Sequence, residues 1–136
     1  ENVPPSPIAY VHAHRGGHHQ AAIGAAAVSV AEQLKAHAIF AETKSGTTAE
    51  DIAAYRPNLP IISVTSSPRT AQLLALTYAN KSFIRPDGEK AGLSLAKELF
   101  EARYFDVDGP LTIVIVSGKQ PGLIGGTDTI RVRVLE

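Results

Sequence analysis

Cysteine is absent from the 136 residues, which excludes a disulfide framework, a thiolate nucleophile and any Cys-based metal site. That composition suits a reducing compartment, and a cytoplasmic location is expected. Met and Trp are absent as well, and aromatic residues make up only 6% of the chain. A chain that starts at Glu1 and holds no Met is expected to be a fragment, a processed product or a domain of a longer protein. Charge of neither sign predominates: 13 basic residues stand against 13 acidic ones, without a long run of either. The electrostatic footprint of a nucleic-acid binder or an acidic-membrane binder is therefore missing, and the expected partner is a small ligand or a protein surface. No apolar run approaches the roughly 20 residues of a membrane span, and the N-terminus has no signal-peptide layout.

What is present alternates between helical and strand patterns. Residues 1–7 carry three prolines, and His12 to His19 is rich in His and Gly without apolar periodicity. Residues 1–19 are thus expected to be a leader or linker, and 20–136 one domain with a core of its own. The Ala-rich run from Gln20 to Lys35, with Ile23, Val28, Val30 and Leu34, predicts a helix too apolar to stand free. Ala38 to Ala41 reads as a strand, Thr48 to Tyr55 as a helix stopped by Arg56-Pro57, and Ile61 to Val64 as a second strand. Ser66-Ser67-Pro68 opens a helix through Leu76, with a hydroxyl at the cap and Pro in the first turn. Ser82 to Ile84 is a short strand, and Lys90 to Tyr104 a helix with Leu93, Ala96, Leu99 and Phe100 on one face.

Leu111 to Val116 is apolar but for Thr112, as a strand buried on both faces is, whereas Ile130 to Leu135 alternates Ile130, Val132 and Val134 with Arg131 and Arg133. The alternation predicts a half-exposed edge strand with both arginines outward, either protecting the edge or pairing across a subunit boundary. The fold expected is three-layer α/β: a mixed, mostly parallel sheet of about five strands covered by helices on both sides. The last strand should run antiparallel, because its connection is too short for a crossover helix.

Two loops follow apolar strands and are rich in glycine and hydroxyls. The first is Thr43-Lys44-Ser45-Gly46-Thr47-Thr48, between strand and helix; the second runs from Ser117 to Thr127. The first has hydroxyls at Thr43, Ser45, Thr47 and Thr48 to donate to phosphate oxygens, Gly46 for the tight turn and a helix N-terminus behind it. The competing reading is a helix cap, with Thr47 or Thr48 followed by Glu50 or Asp51. The second loop is either a ligand cover or a plain hairpin connection, and it matches neither a Walker loop nor a dinucleotide fingerprint. No nucleophile elbow surrounds Ser117. His12, His14, His18 and His19 have metal-like spacing, which admits a small metal-dependent hydrolase. A working site, however, needs rigid elements and supporting partners that this Gly-rich stretch lacks. His37 reads as a packed or capping residue.

Thr43 to Thr48, followed by Ile52, Ala53, Tyr55-Arg56-Pro57, Pro60-Ile61-Ile62 and Val64-Thr65, resembles the C-terminal domain of pyruvate kinase in register. Pro68-Arg69-Thr70-Ala71, Ala102-Arg103, Val116-Ser117-Gly118 and Thr127 to Val132 extend the resemblance over nearly the whole chain. It implies an allosteric domain that binds an effector, often fructose 1,6-bisphosphate, and contributes to oligomer contacts. The effector's 6-phosphate would lie at Thr43, Lys44, Ser45, Gly46, Thr47 and Thr48. The segment with Lys119, Gln120, Pro121, Gly122, Gly125, Gly126 and Thr127 would cover the sugar. Members that hold the second phosphate with an Arg place it, counting back from Arg103, where this chain has Gly92. Arg85 and Lys90 are the nearest cations in sequence and the candidates for that phosphate.

The resemblance also implies what lies elsewhere. Phosphoryl transfer from phosphoenolpyruvate to ADP, with Mg2+ and K+, would belong to a (β/α)8 barrel fused to this domain in the parent enzyme. No catalytic set and no cofactor are expected in this chain. The expected partners are a small phosphorylated effector, the barrel and further copies in a homo-oligomer, with neither nucleic acid nor membrane. The alternative is a stand-alone phosphate- or phosphosugar-binding or assembly module without catalytic activity.

Overall fold

Helix and strand segments alternate as the periodicity predicts. The computed structural model describes residues 18–43, 46–77, 80–86, 88, 90–118 and 127–136. In it α1 (His18–Gln33), β1 (Ala38–Glu42), α2 (Thr47–Ala53), β2 (Ile61–Thr65) and α3 (Pro68–Leu74) lead to β3 (Asn80–Ile84), α4 (Ala91–Glu101), β4 (Leu111–Gly118) and β5 (Thr127–Leu135). The five strands form one sheet in the order β3-β2-β1-β4-β5. The first four are parallel, and β5 runs antiparallel to β4. The expected three-layer α/β class, with a mixed sheet and an antiparallel last strand, is the one observed.

Period-two alternation sends successive β1 side chains to opposite layers. Ile39 and Ala41 join Ile61, Val114 and Val116 beneath α1 and α2, which supply Ala27, Val28, Ala31, Ala49, Ile52 and Ala53. Ala38 and Phe40 join Ile62, Val64, Ile113 and Ile115 on the other face, closed by Leu95, Ala96 and Leu99 of α4. Full burial of each large side chain contributes roughly 1.5–3 kcal/mol, and Ile39, Phe40, Ile61, Ile62, Ile113 and Ile115 are all buried. This is why β1, β2 and β4 read as largely apolar runs. Asn80 fastens β3 inward: it accepts from the Ser63 hydroxyl and donates to the Leu74 carbonyl at 2.9 Å.

Helix ends differ from expectation by a few residues, for local reasons. α1 begins at His18, two residues ahead of Gln20. α2 stops at Ala53, where Tyr55 N–H and Arg56 N–H take tighter bonds to Ile52 and Ala53 carbonyls. Arg56 then turns the chain with φ 49° ahead of Pro57. α3 ends at Leu74, leaving Leu76 90% exposed.

One expectation about β5 is corrected. Its register puts Arg131 opposite Ile115 and Val132 opposite Val114, so Arg131 faces the α4 layer. There it turns inward to Ser117, while Val132 and Val134 are exposed. The alternation located two faces without telling which is drawn inward: Val132 and Val134 stay exposed, and Arg131 is held by Ser117 and Glu42.

Candidate functional site

The chain leaves β1 toward β2 on one side, and later returns to add β4 on the other. Connections diverge at this point, so the ends of neighbouring parallel strands open into a crevice, the usual ligand position in open α/β sheets. Ala41 pairs with Val116, so the strands that lead into the two loops singled out by composition are parallel neighbours.

Local bonding shapes the first loop. Thr43 is buried, its N–H donates to the Val64 carbonyl at 3.0 Å, and its hydroxyl oxygen accepts from Gly46 N–H at 2.8 Å. That bond closes the turn and still leaves the Thr43 hydroxyl a hydrogen to donate. Gly46 is the N-cap residue of α2, with φ 94° and no side-chain capping bond. An L side chain at this φ is strained, and a Cβ would also meet Leu74 Cδ2 at 3.3 Å. Thr47 and Thr48 are therefore helical residues and not caps, with Thr48 buried in the first turn. At seven residues α2 is short, so individual N–H groups and hydroxyls matter more here than a helix dipole. Lys44 and Ser45 lie outside the described residues.

The second loop is anchored by pairing of Gly118 with Thr127, next to a register shift at Ser117/Gly118. Lys119, Gln120, Pro121, Gly122, Gly125 and Gly126 lie outside the described residues, as do His12 and His14.

The α4 side of the crevice holds a polar cluster that sequence reasoning missed. Glu42, the last residue of β1, accepts from Gly92 N–H in the first turn of α4 at 2.7 Å, a charge-assisted bond. Ser117 also hydrogen-bonds the Glu42 side chain. Arg131 Nη2 donates to Ser117 Oγ at 3.2 Å and lies 3.9 Å from Glu42 Oε2. Arg131 Nε is buried with no hydrogen-bond partner among the described residues. Burial pushes the Glu42 carboxyl above its ordinary range, outweighing the Gly92 N–H, the Arg131 charge and Ser117, which pull it down. Gly92 makes the contact possible: a Cβ there would stand 2.6 Å from Glu42 Oε2 and 3.2 Å from Ile115 Cγ2.

Of the two candidate cations for a second phosphate, Arg85 lies away from this corner and Lys90 lies two residues before Gly92. Arg85 follows β3, two strands away from β1, and pairs with Glu98 at 2.8 Å. Lys90 is exposed at the N-cap of α4. His37 Nδ1 accepts from Thr112 N–H at 3.1 Å, a bond joining the start of β1 to β4. Among the described residues no three His, Asp or Glu side chains gather as a metal set, and no helix is long and apolar enough to cross a membrane.

The fold is that of a doubly wound α/β domain in which the strands leading into the two polar loops are neighbours at the switch point. Residues 21–133 match the family described as pyruvate kinase, alpha/beta domain. The chain belongs to this family, as a pyruvate kinase C-terminal domain. It is 32% identical over 117 residues to pyruvate kinase 2 of Synechocystis, an alignment that covers 85% of this chain and 20% of that protein. It is 36% identical over 114 residues to a pyruvate kinase of Mycobacterium tuberculosis, covering 81% of this chain and 24% of the relative. With an Agrobacterium vitis pyruvate kinase the identity is 36% over 112 residues, covering 82% and 24%. The chain thus spans between a fifth and a quarter of the length of these relatives.

Proposed function

We propose that this chain is the regulatory, effector-binding domain of a pyruvate kinase. It takes a phosphorylated sugar, the class that includes fructose 1,6-bisphosphate, between Thr43–Thr48 and the 119–127 segment. The observation that supports this reading is that β1 and β4, the strands leading into the two loops, lie side by side and parallel at the switch point of the sheet. The Gly46 N–H to Thr43 hydroxyl bond adds support, since it uses that hydroxyl as an acceptor and leaves its hydrogen to donate. Phosphoryl transfer, Mg2+ and K+ belong to a fused barrel in the parent protein, a cytoplasmic homo-oligomer to which this domain contributes contacts. An effector acts there by favouring one arrangement of domains and subunits over another.

Calorimetric titration of the chain with fructose 1,6-bisphosphate, ribose 5-phosphate and inorganic phosphate tests the reading. Saturable binding of a sugar phosphate is expected, weakened at least about tenfold in a Ser45→Ala, Thr48→Ala variant, since hydrogen bonds to a charged group contribute about 1.5–3 kcal/mol each. Absence of heat with all three compounds would overturn the effector-site assignment and favour an assembly module.

A further inference from the structure

The sheet ends on one side at β3, and hydrogen bonding along that edge bounds a short opening. β3 pairs with β2 in parallel, and Arg85 N–H donates to the Thr65 carbonyl at 2.9 Å. In a parallel ladder both backbone groups of a residue point to one side, and successive residues alternate. Lys81, Phe83 and Arg85 therefore bond toward β2, while Asn80, Ser82 and Ile84 turn their backbone groups outward. Two of these outward groups are already used: Asn80 N–H donates to the Thr77 carbonyl at 3.3 Å, and the Ile84 carbonyl accepts from Arg85 Nη1 at 2.8 Å. The others, Asn80 C=O, Ser82 N–H, Ser82 C=O and Ile84 N–H, have no hydrogen-bond partner among the described residues. A short extended segment running parallel to β3 satisfies them all. Its first residue donates to Asn80 C=O and accepts from Ser82 N–H; its third donates to Ser82 C=O and accepts from Ile84 N–H. An antiparallel segment would need a longer stretch and would end on the two occupied groups.

We propose that the β3 edge is a docking site for an extended segment of a partner protein, read over successive residues as acidic, aliphatic, aromatic. The parallel register sets the middle residue beside Ser82, with its side chain in the open groove of about 590 Å3 between β3 and α3. Pro68, Ala71, Gln72 and Ala75 form the α3 wall, where the two alanines leave room for a branched aliphatic side chain. The first and third side chains lie on the opposite face, beside Lys81 and Phe83. Lys81 is exposed and has no ion-pair partner among the described residues, so a carboxylate complements it. Phe83 meets the exposed Tyr104 edge to face, with ring centroids 6.0 Å apart, a shelf for a further aromatic ring. Strand addition of this kind takes its affinity from main-chain bonds and its selectivity from alternate side chains. Lys81 and the two occupied groups discourage pairing with a long strand, so a short segment is the partner that fits.

Titration of the full, isotope-labelled chain with the peptide acetyl-Ala-Glu-Val-Phe-Ala-amide, followed by amide NMR, tests the assignment. Saturable shifts at Ser82 and Ile84 are expected, with a dissociation constant on the order of 0.1–1 mM for so few main-chain bonds. N-methylation of the peptide's Glu or Phe removes a donor to β3 and should weaken binding at least about fivefold, whereas N-methylation of its Val, whose N–H faces away, should leave binding within about twofold. Lys81→Glu, an exposed change, should weaken binding about two- to fivefold. If the peptide leaves Ser82 and Ile84 unshifted, the site is overturned. Loss confined to the N-methyl-Val peptide overturns the parallel register, and undiminished binding by Lys81→Glu overturns the acidic preference. Should both amides resist hydrogen exchange before any peptide is added, the edge is already covered by residues 1–17 of the chain or by a second copy, and the partner assignment falls.

Discussion

At the scale of single residues, Glu42 couples the crevice to pH. Its folded-state carboxyl holds a proton more tightly than it would in the unfolded chain, chiefly because of burial. Folding is then favoured by protonation: the contribution is fully present below the ordinary carboxylate value, about 4.3. It is lost as pH rises through the higher folded-state value. Urea-unfolding midpoints measured from acid to neutral pH should therefore fall with rising pH more steeply in the wild type than in Glu42→Gln. Parallel profiles would remove the coupling. Nothing local in the sequence announces this residue. A lone Glu between Ala41 and Thr43 reads as the solvated end of a strand, and its partner Gly92 lies fifty positions away. Arg131 was equally illegible, since alternation separates two faces of β5 without telling which of them a helix covers.

Among the elements, three helices begin in three ways. α3 is capped by its own Ser67, whose hydroxyl oxygen accepts from Thr70 N–H at 3.1 Å, with Pro68 opening the first turn. α4 borrows Glu42 from β1, and α2 starts at Gly46 without a side-chain cap. Ser67→Ala should lower stability by about 1 kcal/mol, the usual value of such a cap, measured by chemical denaturation; an unchanged midpoint would deny the cap any net contribution. The Ser67 cap was readable because it is complete within four consecutive residues. The same holds for the strand-loop-helix punctuation around Thr43 to Thr48. Helix lengths were less readable, because fraying at Tyr55 and Leu76 depends on what those side chains pack against. For the candidate site, composition singled out the two loops, and the sheet order, which no local pattern gives, makes the strands that lead into them neighbours. The α4 wall that bounds the same crevice left no local signal.

For the whole molecule, β1 is the common wall of two cores. Ile39 packs under α1 and α2, Phe40 under α4, and both are fully buried. Ile39→Ala and Phe40→Ala should each cost about 2–5 kcal/mol, and both should shift one shared unfolding transition, followed by far-UV circular dichroism and tyrosine fluorescence. Separate transitions for the two layers would contradict a single cooperative unit. The fold itself was legible because its three central strands are buried on both faces and so stand out as apolar runs. The edge strands were read short, β3 from Ser82 and β5 from Ile130, since polar residues at their ends give no periodic signal.

The reversal of β5 has a practical use. Leu135 pairs with Leu111 at the start of β4, whereas Thr127 pairs with Gly118 at its crevice end. With β4 rising roughly 3.3 Å per residue, the final residue Glu136 stands about 25 Å from the loops. A dye or surface tether attached there would hold the domain by the end remote from the proposed effector site, leaving the β1/β4 end free in immobilised formats.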